Sequence, residues 1–296
     1  MLLALMMAHH GLSIALNGAS LAFAATGALL LLARHAFGAN GRFPRPVLSV
    51  CAEDVLLFTT IALIGAVSSY AVAAYSAGWV DVAMLRFDAA IGYDWRTSYA
   101  LTAVHPFLQV AGRAVYASIY VSPAILILSF ARSGQRAEAR LFLAAFWLAA
   151  TLSLFFFLFM PTLGPLSYLW RGPVPYMPTS GLYQADLIPL LREHRLHVID
   201  LGRLRGLVGP PSFHAASAML YMIAAWRTRN LRVPLTVLNI AMLFSIPVEG
   251  THYAIDVISG AAVAVFANAV VVIFARRWAT AAAVPPVPML ASAEGL

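Results

Sequence analysis

An all-α, polytopic membrane helix bundle is the fold class this chain predicts, and three observations carry the prediction. Of its 296 residues, 61% are hydrophobic and only 10% are charged, whereas a soluble domain carries roughly 25% charged residues. The apolar residues are gathered into long blocks rather than scattered. The basic residues, all arginine because the chain contains no lysine, stand at the ends of those blocks.

Seven blocks can be marked, at about 12–33, 54–77, 105–131, 140–160, 212–227, 233–248 and 253–275, each read as a helix across a hydrocarbon core of about 30 Å. Met1 to Met7 has no basic n-region and no clear cleavage site follows the first block, so it reads as a span rather than a signal peptide. The fifth and sixth blocks are short, which fits helices that begin below the interface or tilt little. Arg34, Arg42 and Arg45 follow the first block; Arg132, Arg136 and Arg140 join the third and fourth; Arg227, Arg229 and Arg232 join the fifth and sixth; Arg276 and Arg277 follow the seventh. Arginine-rich connections mark the cytoplasmic side, so the N-terminus is expected outside and the C-terminus inside. The opposite side then carries a mixed-charge loop (Asp81, Arg86, Asp88, Asp94, Arg96) and a long Pro- and Gly-rich segment from 161 to 211. Leu182, Tyr183, Leu187, Ile188, Leu190 and Leu191 predict a short interfacial helix within that segment.

The net charge of +7 does not imply nucleic acid, because the arginines sit where topology and lipid headgroups account for them. A single cysteine, Cys51, excludes an intrachain disulfide and a cysteine-rich metal site. The Ala- and Arg-rich, lysine-free composition suggests a GC-rich bacterial genome, and hence a bacterial inner membrane.

Two stretches can carry chemistry, and both open apolar helices on the expected outer side. In the first, Pro210-Pro211-Ser212-Phe213-His214, a serine cap stands before the helix. Free N–H groups there, with the helix dipole, make an anion site; the alternative is a capped helix whose histidine faces headgroups. In the second, Gly250-Thr251-His252-Tyr253-Ala254-Ile255-Asp256, the histidine and the carboxylate are four residues apart and share one helix face. An aspartate at that depth needs a partner or a polar cavity. Bonding one ring nitrogen of His252 to Asp256 frees the other to act as nucleophile or base; the alternative is a pair that stitches helices. His214, His252 and Asp256 also make a conceivable two-histidine, one-carboxylate metal set, although a His–Asp pair serves ring orientation equally well. Glu249 reads as an interfacial charge, and His9, His10, His35, His105, His194 and His197 read as scattered interfacial residues.

Pro211-Ser212-Phe213-His214 resembles the PSGH-type motif of the type 2 phosphatidic acid phosphatase (PAP2) superfamily, and His252 to Asp256 resembles its final HxxxD motif. The likeness is to the divergent branch that includes the inositol phosphorylceramide synthases. Leu85 to Trp95, Pro161 to Pro165 and Val198 to Leu201 also look like bacterial members of that branch, so the resemblance spans about 80 to 275.

It implies a six-helix PAP2-like core plus one extra N-terminal transmembrane helix. The corresponding divisions are 1–50 for the extra helix and basic loop, 51–278 for the catalytic membrane domain and 279–296 for a flexible tail. The resemblance also implies roles. His252 attacks phosphorus to give a phosphohistidine, and Asp256 orients it. His214 protonates the leaving oxygen and then activates water or an acceptor. Ser212 and the backbone at Phe213 hold phosphoryl oxygens, with no metal and no other cofactor. The superfamily's KxxxxxxRP motif is absent, with Pro161 to Arg171 in its place, and Ile246 stands where an arginine should precede His252. Arg171, Arg113 and Arg205 are the candidates to replace it.

The expected activity is a lipid phosphatase acting on a lipid phosphate ester from the bilayer, with its site facing the periplasm or exterior. Transfer of a phosphoalcohol headgroup to a lipid or sugar acceptor is the first alternative, and a non-enzymatic lipid or proton-coupled transporter is the second.

Overall fold

The protein is described by a computed structural model, in which residues 1–282 are placed, with side chains to Trp278. The expected C-terminal tail lies, from residue 283, outside the described residues. The chain forms α1 (Leu2–His9), β1 (Ser13–Ile14), α2 (Gly18–Ala36), α3 (Pro46–Tyr75), α4 (Asp81–Ala90), α5 (Trp95–Val104) and α6 (Pro106–Tyr116). Then follow α7 (Val121–Arg132), α8 (Arg136–Phe159), α9 (Pro165–Leu169), α10 (Tyr183–Arg192), β2 (Val198–Ile199), α11 (Phe213–Ala225), α12 (Arg232–Glu249) and α13 (Ala254–Ala282). Short 3-10 turns occupy Ala117–Ile119 and Leu201–Arg203.

The all-α polytopic bundle is as expected. Five helices, α2, α3, α8, α12 and α13, are long and apolar enough to cross a membrane, and α6 with α7 makes a sixth, bent span. The seventh apolar helix, α11, has 13 residues and is therefore only about 20 Å long. It starts inside the bundle: the Phe213 ring meets that of Phe146, with centroids 5.3 Å apart, and Phe146 lies about 20 Å along α8 from its Phe159 end. Around α11 pack α7, α8, α12 and α13, in a core that combines Phe130, Phe142, Phe146 and Tyr221 with Ala216, Ala224 and Ala264. The alanines let the helices approach closely, as small residues do in membrane bundles. The peripheral helix is α2: none of its residues is buried and it packs on α3.

Three sequence expectations need correction. The block at 105–131 is not one helix but breaks between α6 and α7, with a 41° bend. Pro123, in the first turn of α7, has no N–H for the carbonyl of Ile119; the Tyr221 hydroxyl donates to that oxygen instead, at 3.2 Å. The block from 12 to 33 begins late, because Ser13 and Ile14 pair in parallel with Val198 and Ile199. That pairing ties the N-terminal segment to the long loop, and Asn17, which caps α2, also donates to Asp200 at 2.9 Å. Finally, the mixed-charge loop is helical, as α4 and α5. The interfacial helix expected near 182–191 is α10.

The two ends of the bundle differ in charge. At one end Glu53 pairs with Arg34, Arg136 and Arg140, and Arg227 pairs with Glu138, which gathers the ends of α2, α3, α8 and α11. At the other end α4, α5 and α9 pack around Tyr253, beside His252, and α10 and β2 pack against α3.

Candidate active site

The two histidine stretches meet through their backbones. The N–H of Ser212 donates to the main-chain oxygen of Asp256 at 3.0 Å, which sets the start of α11 against the first turn of α13. Gly260 makes this approach possible, since a methyl group there would overlap the carbonyl of Ser212 and sit 3.0 Å from Ala215 Cβ. The Ser212 side chain accepts from Ala215 N–H at 3.4 Å, capping α11 as expected, after a cis bond between Pro210 and Pro211.

His252 is buried, and its Nδ1 stands 3.3 Å from Asp256 Oδ2. The same carboxylate oxygen accepts from Tyr253 N–H at 3.1 Å, so it is anchored independently of the ring. Thr251, just before His252, has φ +52°, a left-handed conformation that a β-branched residue adopts only under strain. His214 lies face to face with Tyr116, with centroids 4.3 Å apart and planes 10° apart, and the Tyr116 hydroxyl is 3.1 Å from Ser180 Oγ. His214, His252, Tyr116 and Ser180 line one pocket of about 130 Å³, together with Phe213. Thus His214, His252, Asp256, Ser212 and Phe213 come together.

The three arginine candidates are placed differently, and none lines that pocket. Arg113 donates from Nε to the Tyr176 hydroxyl at 3.0 Å and from Nη2 to Met177 O at 2.8 Å. Arg205 is exposed, with its guanidinium 4.5 Å from the centre of the Tyr183 ring, and its neighbour Gly206 does line the pocket. Arg171 is exposed in the loop after α9. Where an arginine was expected before His252, Ile246 is fully buried and packs with Tyr116 and Ala215.

Two carboxylate roles went unseen in the sequence. Glu249, read there as an interfacial charge, is buried and holds the long loop. It accepts from the Tyr176 hydroxyl at 2.5 Å, from Thr179 N–H at 3.0 Å and from Thr179 Oγ1 at 2.7 Å. Burial, and then Glu249 itself, push the Tyr176 hydroxyl up to about 12. The second role belongs to α4. Asp88 accepts from Ala254 and Ile255 N–H, each at 2.9 Å, and so caps α13 from another helix. Asp81 accepts from Leu163 N–H and from the Tyr253 hydroxyl, each at 3.0 Å. Burial raises the pKa of both carboxyls, against the pull of those donors. Trp95 Nε1 adds a bond to Pro247 O at 2.7 Å. The turn that presents His252 and the end of α12 before it are therefore held by three side chains from α4 and α5. The only signal in the sequence was the cluster Asp81, Asp88 and Trp95 itself.

Several buried polar atoms at this place have no hydrogen-bond partner: Thr251 Oγ1, Asp256 Oδ1, Gln184 Oε1 and Ser153 Oγ. Such atoms are uncommon in a folded protein and call for an explanation. Among the described residues no group of three histidine, cysteine or carboxylate side chains is placed to hold a metal ion. The scattered histidines are only partly scattered: His10 stacks on His194 with centroids 4.6 Å apart, and His9 Nδ1 is 2.8 Å from the Tyr75 hydroxyl.

Compared with known proteins, residues 82–270, from α4 into α13, match the sequence model of the PAP2 superfamily. No curated protein and no solved structure matches the chain.

Proposed function

Since the chain belongs to the PAP2 superfamily, whose members are generally phosphatases or phosphotransferases, we propose that it hydrolyses a lipid phosphate ester through a phosphohistidine on His252. The observation that carries this reading is the buried His252–Asp256 pair facing the same pocket as His214.

With Nδ1 held by Asp256, His252 presents Nε2 as the nucleophile. Nε2 attacks phosphorus, the P–O bond to the lipid alcohol breaks, and the leaving oxygen takes a proton from His214. In the second half-reaction His214, now neutral, takes a proton from water, whose oxygen attacks the phosphohistidine and frees His252 and inorganic phosphate. Transfer of charge onto the phosphoryl oxygens is met at the N-terminus of α11 by the Phe213 N–H and the Ser212 hydroxyl, the Ser212 N–H being taken by Asp256 O, and by the helix dipole. The N-terminus of α13 cannot share this task, because Asp88 occupies the N–H groups of Ala254 and Ile255. Arg205, beside the pocket-lining Gly206, is the arginine best placed to meet the phosphate from the mouth.

The site-bearing end of the bundle faces the periplasm or exterior of a bacterial inner membrane, which the arginines gathered at the opposite end support. The catalytic unit is residues 51–278, with 1–50 supplying the extra helix α2.

The test is a panel of labelled phospholipids and polyprenyl phosphates given to the purified protein with and without an alcohol acceptor. Release of inorganic phosphate regardless of acceptor is the expected result. A product formed only with acceptor would replace hydrolysis by headgroup transfer, the fate suggested by the likeness to inositol phosphorylceramide synthases. Proton-coupled flux that survives His214→Ala, without any covalent intermediate, would point to a transporter.

A further inference from the structure

Below the two histidines the pocket continues between α3 and α8. Its walls there are Gly65, Ala66 and Ser69 from α3, and Ala150, Ser153 and Leu154 from α8. Small residues on both helices leave a slot; an ideal Cβ on Gly65 would reach only ordinary contact, 4.0 Å from Ala150 Cβ. The α3 wall lies outside the residues that match the superfamily and the α8 wall lies inside them.

Two polar groups that line the pocket, Ser153 in the slot and Gln184 on α10, are out of place. Ser153 is 1% exposed and Gln184 is 2% exposed, yet Ser153 Oγ and Gln184 Oε1 have no hydrogen-bond partner. A helical serine or threonine in an apolar setting ordinarily returns its hydroxyl to the preceding turn. Thr151 does so, to Trp147 O at 2.9 Å, and Ser69 does so, to Ala66 O at 2.7 Å. Ser153 does not. Leaving such a group buried and unsatisfied costs on the order of 1–3 kcal/mol, and alanine at 153 would avoid it. Both groups border the space beside His214 and His252.

We infer that Ser153 and Gln184 select the lipid: the substrate carries a hydroxyl or amide N–H close to its phosphate, followed by an apolar chain that lies in the slot between α3 and α8. An amide oxygen only accepts, so Gln184 Oε1 requires a donor on the ligand. The Ser153 hydroxyl takes either role. A hydroxylated glycerol or sphingoid-type phosphate meets both, whereas a polyprenyl phosphate, hydrocarbon up to its phosphate ester, leaves both unpaired. A site built to hydrogen-bond a substrate group rejects the analogue that lacks it far more strongly than an apolar pocket rejects a changed chain length. This inference rests on the phosphoryl-transfer reading for the identity of the reacting group, and its test separates the two.

The full-length protein in mixed micelles would be given three probes: a monoacylglycerol phosphate with a free hydroxyl, its deoxy analogue of the same chain, and a polyprenyl phosphate. The expected kcat/KM favours the hydroxylated probe at least tenfold over each of the others, and Ser153→Ala and Gln184→Met each lower that ratio. A ratio near one in the wild-type protein, or a ratio untouched by both substitutions, overturns the inference. In parallel, the thermal shift that each probe produces in His252→Ala reads the slot without turnover. A larger shift with the hydroxylated probe, lost on adding Ser153→Ala or Gln184→Met, supports the slot even if no probe is hydrolysed, in which case only the phosphoryl-transfer reading fails. Equal shifts with all three probes sink the slot.

Discussion

Asp88 touches neither histidine, yet its carboxylate fixes where the helix bearing Asp256 begins. Hydrogen bonds to a charged group contribute about 1.5–3 kcal/mol each, so Asp88→Ala should cost roughly 3 kcal/mol of stability and lower kcat more than it raises KM. Asp88→Asn keeps one acceptor oxygen and should recover part of both; equal losses in the two variants would mean that charge rather than acceptor geometry matters. At this scale the His252–Asp256 contact was legible from the four-residue spacing, although His252 stands in the turn before α13 and only Asp256 lies on the helix, and the Ser212 cap has a local signature. Glu249 was not legible. Its partners Tyr176 and Thr179 lie 73 and 70 residues away in the chain, and nothing local distinguishes a carboxylate that grips a loop from one that faces water. The replacement for the missing arginine was illegible for the same reason: Arg113 is taken up by Tyr176 and Met177, partners in a loop with no regular pattern.

Among elements, the contact between α11 and α13 positions the site, and Gly260 permits it. Gly260→Ala pushes a methyl into the backbone of Ser212; overpacking of this kind costs typically about 1–3 kcal/mol. Because the displaced element carries Ser212 and His214, turnover should fall by more than the fraction of protein that unfolds, as read by activity per folded molecule. Ser259→Ala, on the preceding residue, removes a bond to Asp256 O without adding volume and should be milder. The histidine group at the N-terminal segment makes a pH prediction. Burial, then His194 and His9, hold the pKa of His10 below its ordinary 6.5. Below pH 6.5 the unfolded segment therefore binds more protons than the folded one, and the stability of this packing falls as the pH falls. The protection factors of the amides of residues 2–14, taken relative to the intrinsic exchange rate at each pH, should fall between pH 7.5 and 5.5, and His10→Phe should flatten that dependence. The long spans were legible from hydropathy alone, since a membrane helix has to be apolar along its length. The break at Ile119 was not, because it depends on a distant hydroxyl, that of Tyr221, to take the freed carbonyl. Helices α4 and α5 were missed because ten-residue helices of mixed charge carry no hydropathy block.

Over the whole molecule, the arginine pairs at one end and the covered pocket at the other make a polarised bundle. The proposed sidedness can be read with single cysteines in a Cys51→Ser background. An impermeant maleimide applied to intact cells should label Met177→Cys, at the pocket end, and should label Ser133→Cys, between α7 and α8, only after lysis. The reverse pattern would invert the assignment. The central claim, however, is chemical, and trapping the intermediate tests it most directly. Brief incubation with a lipid phosphate ester labelled at phosphorus, alkaline quenching and peptide mapping should place an alkali-stable, acid-labile phosphoryl group on His252, and the label should vanish in His252→Ala. Phosphate release without any label on His252, or turnover that survives His252→Ala, would contradict the account.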